Sequence, residues 1–144
     1  GVPEGGLIFA TSGSLYGTTE AGGAGNGTVF ELRPSQDSWT LNTIYTFPGP
    51  GVPGPAASLA LDGAGNIYGT TLSGPPQYPP CEGSVFELSR LNGAWNYMLL
   101  HCFTGGSDGG QPYSPVTMDR YGNLYGTAFE GGANGDGVVW EISR

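Results

Sequence analysis

Lysine is absent from this 144-residue chain, and arginine occurs only four times against 12 Asp and Glu, for a net charge of −8. A surface so poor in cations cannot neutralise phosphates, which excludes nucleic acid and anionic lipid as principal partners. No apolar run approaches the roughly 18 residues of a helical span, so membrane insertion is not expected either. Histidine occurs once and cysteine twice. No metal cluster, phosphate loop or nucleophile–base pair can be read from the chain, and no cofactor is expected. Leu, Ile, Val and Phe fill only 29 positions, whereas Gly and Pro fill 40. Such a composition borders on disorder unless the residues recur in a pattern. Gly or Pro interrupts nearly every ten-residue window, which rules out helical bundles and coiled coils. Abundant Gly, Thr and Asn with few charges suit a secreted or surface protein.

The pattern is there. Pro55 to Thr71 aligns without gaps on Pro112 to Ala128, and Pro3 to Thr19 is a degenerate copy of the same segment. A second block follows each copy, as Gly27 to Leu32, Gly83 to Leu88 and Gly137 to Ile142. A third block occurs twice, as Trp39 to Phe47 and Trp95 to Phe103. The chain is therefore one array of three repeats, at about 1–49, 53–106 and 110–144, the last without its third block.

Each repeat reads as short antiparallel strands. Leu59 to Leu61 and Ile67 to Thr71 flank the turn Asp62 to Asn66, in which Gly and Asn are expected to supply positive φ. Val85 to Leu88 and Trp95 to Phe103 flank Asn92-Gly93, a strong hairpin signal. Strict alternation sets Leu99, His101 and Phe103 on one face and Met98, Leu100 and Cys102 on the other. Four such strands per repeat predict an all-β, propeller-like array of three blades, the last lacking its fourth strand.

The string Asp-x-x-Gly-Asn-Leu-Tyr-Gly-Thr, followed by Gly-Gly, Gly-x-Val-Phe-Glu-Leu and a Phe-x-Gly tail, resembles the GloVer-type tandem repeat. That repeat occurs in bacterial extracellular proteins that often carry surface-anchoring signals. The resemblance implies a propeller-like array and an extracellular or cell-surface location, and it brings no catalytic motif. The first repeat departs from the pattern, with Ala10 where Asp62 and Asp119 stand and Ser14 where Asn66 and Asn123 stand.

Several residue types invite a chemical reading. Glu31, Glu87 and Glu141 recur at one point of the repeat, and paired carboxylates can cleave a glycoside if they flank one bond. One per repeat at equivalent places points instead to a structural hydrogen bond. Asp62 and Asp119 could start calcium loops, yet an Asp that caps its own turn needs no ion. Gly131 to Gly137 resembles a calcium-binding nonapeptide, but such repeats work in tandem and this one occurs once. His101 has Tyr45 as its counterpart, which suits a planar side chain filling a blade face. Asn26-Gly-Thr28 is a formal glycosylation sequon.

Cys81 and Cys102 bear on the fold. A hairpin about Asn92-Gly93 sets Val85 opposite Leu100 and Gly83 opposite Cys102, with Cys81 two residues out of register. A disulfide between them would pin the insertion Pro75 to Pro80, and two free thiols are the alternative. Tyr16, Tyr68 and Tyr125, with Trp39, Trp95 and Trp140, read as packing wedges between blades. Tyr78, Tyr113, Tyr121 and Phe129, in loops, are the better candidates for a ligand such as a glycan.

Three functions follow: an assembly protein, a glycan-binding module, and an enzyme on a propeller frame. The enzyme lacks its chemistry, and the loops differ too much between repeats for a symmetric lectin. A ring closes with four to eight blades, so three cannot close on themselves. The edge carrying Val138, Val139, Trp140 and Ile142 has no following partner, and Leu7 and Phe9 lack a preceding blade. The expectation is a non-catalytic extracellular protein that self-assembles head to tail into a ring or filament. A glycan-binding propeller module and a segment of a longer surface-anchored propeller are the alternatives.

Overall fold

The computed structural model describes residues 1–22, 25–49, 54–55, 57–74 and 81–144. Three antiparallel sheets follow one another along the chain. The first comprises β1 (Ile8–Phe9), β2 (Leu15–Thr19), β3 (Thr28–Ser35) and β4 (Ser38–Thr46). The second comprises β5 (Ala60–Leu61), β6 (Ile67–Thr71), β7 (Ser84–Leu91) and β8 (Ala94–Cys102). The third holds β9 (Thr117–Met118), β10 (Leu124–Ala128) and β11 (Val138–Ile142). Spatial order in each sheet follows chain order, and the described residues contain no helix. This is the expected propeller-like array of four, four and three strands, and its sheets do not close into a ring.

The sequence explains the strands locally. Asn92 and Gly93 take φ of 51° and 83°, so β7 and β8 are joined by a two-residue turn of the type that matches strand twist. Between β5 and β6 only Gly65 takes a positive φ. Asn66 acts otherwise than expected, donating its side-chain amide to Asp62 at 2.8 Å. The recurrent Tyr-Gly-Thr needs its glycine for space. Gly17, Gly69 and Gly126 lie opposite Phe30, Phe86 and Trp140, and a Cβ on each would come within 2.6, 2.6 and 2.2 Å of that ring.

Two expectations about β8 are corrected by one feature. A bulge between Val85 and Phe86 adds Leu100 to β8, so Val85 faces His101 and Ser84 faces Cys102, while Phe86 faces Leu99. Strict alternation cannot register an added residue. Leu99 thus parts from His101 and Phe103, and the latter pack with Leu100 toward the third sheet. The first sheet carries the same bulge between Val29 and Phe30.

Two apolar layers separate the three sheets. Tyr16, Val29 and Phe47 from the first sheet meet Leu59, Ile67, Phe86 and Leu88 from the second. Tyr68, Val85 and Phe103 from the second meet Val116, Leu124 and Trp140 from the third. An aromatic pair repeats in each joint, Phe47 on Phe86 at 5.2 Å and Phe103 on Trp140 at 5.9 Å. A hydrogen bond repeats too, Thr18 Oγ1 donating to the Ala57 carbonyl at 3.3 Å and Thr70 Oγ1 to that of Ser114 at 3.4 Å.

Candidate functional site

Each sheet has a leading face, turned toward the next sheet in the chain, and a trailing face turned toward the previous one. Period-two alternation assigns them. Val29, Glu31 and Arg33 on β3 lead, together with Tyr16, the register partner of Glu31 on β2. Leu32 and Pro34 trail. The second sheet repeats this with Val85, Glu87 and Tyr68 leading and Leu88 and Arg90 trailing. The third repeats it with Val139, Glu141 and Tyr125 leading and Ile142 and Arg144 trailing.

A tyrosine and a glutamate therefore stand side by side on every leading face. In the first joint the Tyr16 hydroxyl donates to Glu31 Oε1 at 3.0 Å, and Arg33 Nε pairs with Oε2 at 2.8 Å. Burial raises the Glu31 pKa, but the Tyr16 and Ser14 hydroxyls and Arg33 outweigh it and leave it below the ordinary value. In the second joint Arg144 crosses from the third sheet. Its Nη1 lies 3.0 Å from Glu87 Oε2, as an ion pair without a hydrogen bond's alignment, and donates to the Tyr68 hydroxyl at 2.6 Å. The guanidinium also sits over the Tyr68 ring, 5.0 Å from its centroid. Tyr68 in turn donates to Asp62 Oδ2 at 3.0 Å. Burial, that hydrogen bond and the Glu87 charge push its pKa up to about 12.

Arg90 is the counterpart of Arg144, but it lies over its own Trp95 ring, 4.6 Å from the centroid. Arg33 already holds Glu31. With Arg90 turned aside, the first joint keeps a cleft of about 870 Å³ lined by Phe9, Tyr16, Glu31, Arg33, Asp62 and Trp95 among others. On the third leading face the Tyr125 hydroxyl lies 3.2 Å from Asp119 and 3.3 Å from Glu141, and Glu141 is exposed.

The aspartates are turn caps. Asp62 Oδ1 accepts from the backbone of Ala64 and Asn66, both at 2.9 Å, and Oδ2 from Asn66 Nδ2 and Tyr68. Asp119 repeats this with Tyr121, Asn123 and Tyr125. Protein donors thus take up both oxygens of each carboxylate. Ala10 removes this cap from the first repeat, and there the Tyr16 hydroxyl turns to Glu31.

His101 Nε2 lies 3.2 Å from Asp108 Oδ2, and the ring packs edge-on against Phe103 at 4.7 Å. The nearby Thr104 hydroxyl bonds to the same carboxylate rather than to the imidazole. The Asn26 side-chain amide nitrogen is buried. Cys81 and Cys102 form a disulfide with Cα atoms 5.4 Å apart. Their placement follows the bulged register, in which Ser84 rather than Gly83 faces Cys102.

Among the loop aromatics, Tyr113 and Phe129 meet edge to face at 6.1 Å and both are exposed. Tyr121 lies elsewhere, under Arg120 at 4.7 Å, and Tyr78 falls outside the described residues, as does the insertion Pro75 to Pro80. Alternation divides the residues expected at the assembly edge. Val139 faces the open side, whereas Trp140 is buried and Val138 and Ile142 pack with it against the second sheet. Leu7 and Phe9 are exposed at the other end. The Tyr–Glu–Arg contact went unread in the sequence, although Arg90 and Arg144 each follow the repeat's glutamate by three residues.

No curated protein matches the chain. The family described as the Gloeobacter/Verrucomicrobia repeat matches residues 1–144, the whole span over which the Tyr-Gly-Thr strands, the Asp–Asn turns and the glutamate strands recur. The chain belongs to that family of repeats.

Proposed function

We propose that the chain is a non-catalytic structural module of an extracellular bacterial protein, and that copies join head to tail, the leading face of one third sheet covering the trailing face of the next first sheet. One comparison carries this reading. Val29 and Val85 are 0% exposed beneath the following sheet, and the equivalent Val139 is 80% exposed. The trailing faces give the mirror image, with Leu59 at 4% and its counterpart Leu7 at 52%. Both open faces thus expose residues that the repeat elsewhere uses to bind its own kind. Burying a Val or Leu side chain contributes about 1.5–3 kcal/mol, so a joint of several such residues can hold two copies together. The Cys81–Cys102 disulfide favours an oxidising compartment. Each buried glutamate is engaged by a tyrosine or an arginine within a joint, which supports a structural role for the carboxylates.

Light scattering over a concentration series tests this. Growth in mass that Val139→Asp abolishes is expected, and a monodisperse species near 14.8 kDa at every concentration would overturn it. Carbohydrate binding is a second reading, favoured by the exposed Tyr113–Phe129 pair. Glycan-array binding lost on replacing both rings by alanine would establish it.

A further inference from the structure

The leading faces form a series in which two members have their cation and the third does not. Glu31 is held by Arg33 from its own strand, and Glu87 by Arg144 from the following sheet. Glu141 has a serine at the Arg33 position, and Ser143 Oγ donates to it at 3.1 Å. Beside it stand the Tyr125 ring and the Asp119 carboxylate, the counterparts of the ring under the Arg144 guanidinium and of the carboxylate bonded to Tyr68.

We propose that Tyr125 and Glu141 form a guanidinium receptor that takes an arginine from the trailing face of the next blade, at the place Arg144 holds in the third sheet. The receptor makes the joint selective. Its fitting occupant is a blade of the second or third type, which carries Arg90 or Arg144 there. The first blade carries Pro34, paired with Trp39 as Arg90 is paired with Trp95. A joint between two copies of this chain therefore buries Val139 but leaves the receptor empty, and it is the weaker kind of joint. Closing an ion pair against a ring strengthens it, since charge-assisted hydrogen bonds are roughly twice as strong as neutral ones. The inference rests on the stacking proposed above.

Sedimentation velocity on the intact chain, Pro34→Arg, Glu141→Gln and the double variant separates the two ideas. The expected result is association about tenfold tighter for Pro34→Arg than for the parent, a gain that vanishes when the double variant is compared with Glu141→Gln. Parent association with no gain from Pro34→Arg, or a gain that survives Glu141→Gln, overturns the receptor and leaves stacking in place. A monomeric parent with Glu141-dependent association of Pro34→Arg overturns stacking between parent copies and upholds the receptor. Monomers throughout overturn both.

Discussion

Gly69 lies under the Phe86 ring, and a Cβ there would also come within 2.9 Å of Leu59 Cδ2. Gly69→Ala therefore overpacks the joint and should cost about 1–3 kcal/mol in denaturant unfolding. Gly63, with open space around its Cβ position, should tolerate alanine within about 0.5 kcal/mol. Equal effects at the two sites would contradict the packing argument. Tyr68 and Tyr97 both have pKa values of about 12, chiefly through burial. A raised pKa means that the folded state holds its proton longer, so this stability is complete below pH 10 and is lost as pH rises toward 12. Melting temperature should fall across that window, together with late appearance of tyrosinate absorbance. Tyrosinate rising at the ordinary pH before any unfolding would contradict it. At the acid end the signs reverse. Glu31 and Asp62 are held below their ordinary values, because hydrogen bonds outweigh burial, and the stability they contribute is lost as pH falls through those lowered values.

At the scale of elements, β7, β8 and the disulfide form one unit. The bridge closes a loop spanning 21 positions, and loop closure of that length contributes about 3 kcal/mol. Replacing both cysteines by serine should lower stability by roughly 2–4 kcal/mol while β7 and β8 still pair, as read by chemical denaturation and far-ultraviolet dichroism. No loss of stability would show that the bridge closes a loop already fixed by other contacts. The strands were legible in the sequence because Asn92-Gly93 and the Asp-x-x-Gly-Asn turns dictate backbone conformation locally. The bulge at Leu100 was not, since an extra residue in one strand leaves no mark in an alternating pattern. It moved the partner of Val85 by one residue and turned His101 and Phe103 toward the third sheet. The Tyr–Glu–Arg contact was hidden differently. In the second joint its members come from two repeats, and only the stacking of sheets brings Arg144 over Tyr68.

Across the three sheets, two joints are covered, and among the described residues the outer faces of the first and third sheets expose side chains of the same design. Val139 belongs to the series whose buried members share layers with Leu59 and Val116, and Leu7 is the counterpart of those two. Head-to-tail stacking thus sets Val139 of one copy near Leu7 of the next. Face-to-face pairing of two identical ends would set Val139 near Val139. Cross-linking decides between them: one variant carries Val139→Cys, a second carries Leu7→Cys, and each is oxidised alone and in mixture. Head-to-tail stacking predicts rapid dimer formation only in the mixture, through a bridge from position 139 to position 7. Cross-links confined to each variant alone, or none in the mixture at concentrations where the parent associates, would contradict it.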